Sequence, residues 1–66
     1  MCVSYKKLWI LLAEKGMTKA DLRRAADIAP AILTKLNKNE FVSMVMLVKI
    51  CKALNCDIGD IVEVIK

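Results

Sequence analysis

Apolar residues recur at three- and four-residue intervals over most of this chain, the spacing that gathers side chains on one side of a helix. In the first such stretch Leu8, Leu11 and Leu12 line up between Tyr5 and Lys15, and Gly16 supplies a usual stop. A second helix opens at Thr18, whose partner three residues on is Asp21, and runs to about Ala26 with Leu22, Ala25 and Ala26 facing inward. Asp27 then occupies a turn that calls for a left-handed backbone, which Asp tolerates better than most residues. Pro30 suits the first position of a third helix, where its missing donor is not needed, and that helix continues to about Lys38. Ser43 caps a fourth, Met44 to Leu54, with Leu47, Ile50, Cys51 and Leu54 on one side and Val45, Lys49 and Lys52 on the other. The pattern predicts a fifth helix capped by Asp57, with Asp60 in its first turn and Ile58, Ile61, Val62 and Ile65 packing inward. No strand pattern, repeat or linker interrupts the series. The reading is all-α, a compact five-helix bundle forming one domain over residues 1–66.

Within that series, Thr18 to Leu36 reads as two short helices joined by a tight turn, the second basic along its outer side. This is the sequence form of a helix-turn-helix, and it makes the chain a candidate reader of the DNA major groove. A formal charge of +4 suits a small polyanion-binding module, although other basic proteins share it. With 66 residues there is room for one core and no large catalytic cleft. There is no histidine, which removes the commonest general base and the commonest zinc ligand. Gly-rich phosphate loops, metal clusters and paired carboxylates are missing as well, so neither catalytic nor metal-ligating residues are expected, and no cofactor. Cys2, Cys51 and Cys56 are odd in number and form no Cys-x-x-Cys pair, which argues against a disulfide framework; Cys51 reads as a small apolar filler. The start of the chain resembles no signal peptide, and the apolar run Leu8 to Ala13 is too short for a bilayer. A reducing cytoplasm is the expected location.

The phrases Leu-Leu-Ala-Glu-Lys-Gly-Met-Thr, Asp-Leu-Arg-Arg-Ala-Ala-Asp-Ile, Lys-Leu-Asn-Lys-Asn-Glu and Val-Lys-Ile-Cys-Lys-Ala-Leu-Asn-Cys-Asp-Ile-Gly-Asp-Ile, in this order, carry a likeness that spans nearly the whole chain. They resemble the Cro/phage-repressor (xenobiotic-response-element) helix-turn-helix family, and within it the small stand-alone bacterial members. The resemblance implies a lambda-repressor-like bundle that binds double-stranded DNA with helix three as the recognition helix. Lys19 stands where that family commonly has a Gln reaching a DNA phosphate, and a lysine keeps such a contact as a point charge. The family's base-facing positions fall on Pro30, Ala31, Thr34 and Lys35, which share one face of helix three. Lys35 is long enough to reach guanine O6 and N7, Thr34 offers a hydroxyl and a methyl, and Ala31 offers apolar contact alone. Asn37, Lys38 and Asn39 fall in the family's phosphate-lining loop, Asn39 at a Gly-like left-handed position. The sequence departs from the family at Ala29, where a capping Ser or Thr is usual, and Ala29-Pro30-Ala31 is bare of polar groups. Direct base readout then rests on few residues.

The chain is 58% hydrophobic, more than helices with one buried stripe require. Ile10 lies two residues from Leu8 and Leu12, about 200° around the helix from them, and Val45 is opposite Leu47 by the same arithmetic. Such residues are either scattered surface apolars or a contact patch. A homodimer through the C-terminal helix with help from helix four is expected, with Ile10, Val45, Val62, Val64 and Ile65 at the interface. Trp9 reads as a core-edge residue. The leading function is a sequence-specific DNA-binding transcriptional regulator, most simply a repressor. The alternative is a protein-protein interaction module on the same fold, antitoxin-like or an accessory regulator, with weak or lost DNA binding. No membrane or small-molecule partner is expected.

Overall fold

Residues 2–66 are described by the structure, a computed structural model. Four helices follow a short strand: β1 (Cys2–Ser4), α1 (Lys6–Glu14), α2 (Lys19–Ala26), α3 (Pro30–Asn37) and α4 (Met44–Leu54). A single 3-10 turn, Ile58–Asp60, and a last strand, β2 (Glu63–Ile65), complete the chain. The helical helix-turn-helix class expected from periodicity holds, but the fifth helix does not form. Asp57 opens only the 3-10 turn, its N–H donating to Asp60 Oδ2 at 3.0 Å. Beyond it the chain straightens into β2 and pairs antiparallel with β1, placing Cys2 against Ile65, Val3 against Val64 and Ser4 against Glu63. The β-branched residues Val62, Val64 and Ile65 favour that extended form.

Local chemistry ends every helix in one way. Gly16, Asp27, Asn39 and Asn55 each follow a helix with φ between 54° and 67°, and they are the positive-φ residues among those described. At each, the next residue's N–H reaches back to a carbonyl five positions earlier: Met17 to Leu12, Ile28 to Arg23, Glu40 to Lys35 and Cys56 to Cys51, at 2.9–3.2 Å. This Schellman geometry satisfies carbonyls that the helix leaves free, and Gly, Asn and Asp are the residues that accept the left-handed backbone it needs. Starts are capped unevenly. Thr18 accepts from the Asp21 N–H while Asp21 accepts from the Thr18 N–H, a complete capping box, and the Ser43 hydroxyl accepts from the Met46 N–H. Ala29 gives α3 no side-chain cap, and Pro30 takes the first position.

One core holds the elements together. Leu8 and Leu12 of α1, Leu22 and Ala26 of α2, Leu36 of α3 and Leu47, Ile50, Cys51 and Leu54 of α4 are buried, with Tyr5, Ile28 and Ile61 from the connections. Cys51 is therefore the filler it was expected to be. Ala25, expected to face inward, is exposed, because α2 buries only the narrower stripe through Leu22 and Ala26. Of the residues expected to pack in a fifth helix, Ile61 is fully buried and Ile58 and Val62 are half-buried, whereas Ile65 lies exposed on β2. No helix among the described residues is long and apolar enough to cross a membrane.

Candidate nucleic-acid interface

The turn between α2 and α3 is fixed on both sides. Asp27 adopts φ 54° and ψ 52°, and the buried Ile28 plugs the corner, so the two helices cannot rotate freely about their junction. Leu36 then pins α3 to the core, with Ile32 and Leu33 half-buried beside it. At about 100° per residue, this leaves Pro30, Ala31, Thr34, Lys35 and Lys38 on an opposing arc of about 140°, and all five are exposed. The expected readers Pro30, Ala31, Thr34 and Lys35 are thus brought together on one solvent face, with Ala29 exposed just before them. Lys38 is the residue after α3, one beyond its last helical position.

Thr34 is not free in the way its hydroxyl suggested. Its Oγ1 donates to the Pro30 carbonyl at 3.2 Å, so the proton is engaged within the helix and the outward offer is a methyl and an acceptor. Lys35, near the helix C-terminus, is favourably placed against the helix dipole and presents a long cation on the face, as Lys38 does just beyond the helix end.

Lys19 begins α2 and reaches across to α3. Its ammonium donates to Asn37 Oδ1 at 2.6 Å and lies 4.4 Å from the centre of the Trp9 ring. Two residues expected to lie along phosphates are therefore in direct contact, joined at the seam between the second and third helices. All three lysines are exposed, and neither Lys35 nor Lys38 is hidden within the molecule. Residues 18–38 carry five of the eleven basic residues and only two of the seven acidic ones, which gives this part of the surface most of the net positive charge. Asp21 is further neutralised by Arg24, whose Nη2 lies 2.6 Å from its Oδ1. Hydrogen bonds from the backbone and hydroxyl of Thr18, followed by the Arg24 charge, hold the Asp21 carboxyl below its ordinary pKa.

Tyr5 escaped notice in the sequence. It is 1% exposed, its hydroxyl donates to the Glu40 carbonyl at 2.8 Å and its N–H donates to Asn39 Oδ1 at 3.1 Å. The start of α1 thereby holds the loop that follows α3, and Asn39 serves both as the left-handed residue foreseen and as an acceptor. Periodicity carries no signal for a tie between residues 34 and 35 positions apart.

The expected dimer positions do not form one element. Ile10 is 51%, Val45 62%, Val64 54% and Ile65 40% exposed, while Val62 is half-buried. Because the C-terminal helix is absent, Val64 and Ile65 lie on a strand. Phe41, Met44 and Val48, neighbours of Val45 in sequence, are 71%, 62% and 42% exposed as well, and of these Phe41 and Val48 were not foreseen.

A core-anchored second helix of a tight helix-turn-helix, facing outward with lysines at its edges, defines a DNA-binding domain. Residues 7–66 match the Cro/C1-type HTH DNA-binding domain, and the chain belongs to that family. Its structure is similar to a crystal structure of the transcriptional regulator VanUg, at 50% sequence identity and a TM-score of 0.91, covering 94% of this chain and 83% of that one. No curated protein matches the chain.

Proposed function

We propose that the chain is a sequence-specific transcriptional regulator, most simply a repressor, that lays the outer face of α3 in the major groove. The observation that carries the reading is the Lys19–Asn37 contact, which ties the phosphate-side start of α2 to the end of an α3 whose opposite face is open. In this reading Lys35 contacts a guanine edge, Ala31 and the Thr34 methyl touch thymine methyls, and Lys19, Asn37 and Lys38 follow the backbone. Ala29 and Pro30 bring the start of the helix close to the duplex without adding a donor. Similarity to a protein named as a transcriptional regulator supports the same assignment. We read the protein as a binding protein, not an enzyme.

A homodimer completes the proposal, since two copies can present their α3 helices to successive major grooves about 34 Å apart. Exposed Val45, with Ile10, Val62, Val64 and Ile65 as the further expected contacts, supports a contact surface of this kind. The same exposed apolar residues favour the alternative of an interaction module that docks another protein.

Titration of fluorescent duplex DNA at several salt concentrations tests the assignment. Binding whose logarithm falls linearly with the logarithm of salt is expected. Lys35→Ala should relax sequence preference, whereas Lys38→Ala should weaken all duplexes alike and lower the slope by about one. Salt-independent or undetectable binding, together with an oligomer broken by Val45→Glu, would favour the interaction module.

A further inference from the structure

We infer that Trp9 is a positioning residue for DNA binding: it holds the Lys19 ammonium in place for a phosphate. The inference rests on the DNA-binding reading above and adds to it a residue on α1, outside the helix-turn-helix itself.

Three helices contribute to the arrangement. Trp9 of α1 is half-buried against the core, so its ring is a fixed platform. Lys19 of α2 is exposed, yet its Nζ sits 4.4 Å above that platform, within the range where a ring's negative face attracts a cation. Asn37 of α3 takes one of the three ammonium protons at 2.6 Å. A lysine can only donate, so the Asn37 oxygen must face it, which turns the amide NH2 away and leaves it free to donate to the same anion. Neither contact uses up the lysine, because the ammonium keeps two further donors and its full charge.

An unrestrained surface lysine populates many rotamers and must surrender them to grip a phosphate. Here that freedom is already restricted in the free protein, so less is lost on binding. The arrangement also fixes where the phosphate must lie relative to α3, since the lysine is bonded to that helix's last residue. Trp9 thus sets register on the backbone without touching a base.

A double-mutant cycle tests this, using Trp9→Leu, Lys19→Met and the double variant, with duplex affinity read by fluorescence anisotropy over several salt concentrations and the cycle closed at one of them. Trp9→Leu should weaken binding about two- to fivefold in the wild-type background and by a negligible factor when Lys19 is already Met. The salt slope should be unchanged by Trp9→Leu, which removes no charge, and lowered by about one by Lys19→Met. Trp9→Phe keeps a ring face and should recover part of the loss; if Trp9→Leu melts below the assay temperature, Trp9→Phe carries the cycle. Because Trp9 is the only tryptophan, Lys19→Met should also shift its emission in the absence of DNA. Equal losses from Trp9→Leu in both backgrounds would overturn the inference while leaving DNA binding standing. Absence of salt-linked binding by the wild type would overturn both.

Discussion

Tyr5→Phe isolates one hydrogen bond between the start of α1 and the loop behind the proposed recognition helix. The ring stays buried, so little apolar contact changes; what is lost is the 2.8 Å bond from the hydroxyl to the Glu40 carbonyl. A neutral hydrogen bond contributes about 0.5–1.5 kcal/mol net, and an acceptor left dry costs about 1–3 kcal/mol. Glu40 is an exposed residue, so water can reach part of the vacated carbonyl, and a loss of about 1–2 kcal/mol is expected. A domain of this length has a total stability of roughly 3–10 kcal/mol and shifts its Tm by about 4–8 °C per kcal/mol. Thermal unfolding followed by circular dichroism should therefore show a Tm lowered by roughly 4–16 °C at neutral pH. The same residue gives a pH signature. Burial pushes the Tyr5 phenol above its ordinary pKa of 10.0, with the Val42 backbone opposing to a lesser degree. A folded pKa above the unfolded one means that the contribution is complete below the unfolded value and is lost as pH rises through the folded value. The gap between wild type and Tyr5→Phe should consequently close above pH 10. A Tm change under about 2 °C, or a gap that stays constant into strong alkali, would refute the claim that this hydroxyl braces the loop.

Three further substitutions and one chemical modification follow from the same structure. Thr18→Ala removes one half of the capping box and should cost about 0.5–2 kcal/mol, read as a lower Tm. Asp21→Asn should flatten the acid limb of the stability curve: the depressed carboxylate stabilises above its unfolded pKa, and that contribution disappears as pH falls through the lower folded value. Ala29→Ser supplies the missing cap to α3 on a backbone already extended at φ −69° and ψ 151°, and should raise the Tm by about 4–8 °C for a gain near 1 kcal/mol. Among the thiols, Cys2 is exposed, whereas Cys51 is buried and its pKa is pushed up to about 11 by desolvation and then by Cys56. Alkylation at pH 8 followed by mass spectrometry should label Cys2 rapidly and Cys51 only on unfolding.

What the amino acids revealed in advance was whatever they settle locally. The starts at Thr18 and Ser43, the missing cap at Ala29, the left-handed Asp27 and Asn39 and the buried Cys51 all depend on a residue and its near neighbours. The C-terminus shows where local reading fails. Ile58, Ile61, Val62 and Ile65 have helical spacing behind an Asp, yet the decisive contact is with Cys2–Ser4 at the other end of the chain. A non-local strand pair leaves no periodic trace in a three-residue segment. Val3 takes part in the same pairing: it lies on β1 and is half-buried against the core. The outward face of α3 came from the family resemblance, and the burial of Leu36 with the partial burial of Ile32 and Leu33 agrees with it. The Trp9, Lys19 and Asn37 cluster was not, since it joins three helices and depends on how they cross.

The poverty of α3 in polar groups constrains how the domain could choose its site. On the proposed function, one bidentate contact from Lys35 would discriminate by about 1–3 kcal/mol, whereas specific sites are typically preferred over random duplex by about 4–10 kcal/mol. Methyl contacts from Ala31 and Thr34 add apolar fit but no new hydrogen-bond donor, because Thr34 already gives its proton to Pro30. Two symmetric copies would double the base contribution to about 2–6 kcal/mol, which only overlaps the required range. In the proposed reading the remainder comes from backbone geometry: a duplex would have to bring its phosphates to Lys19, Asn37 and Lys38 with α3 in the groove, and sequences that deform easily do so at lower cost. A rigid phosphate clamp is what makes that form of selection effective. On the proposed function, the capping of α2, the plugged corner at Ile28, the Tyr5 brace behind the loop and the restrained Lys19 would all serve that one requirement.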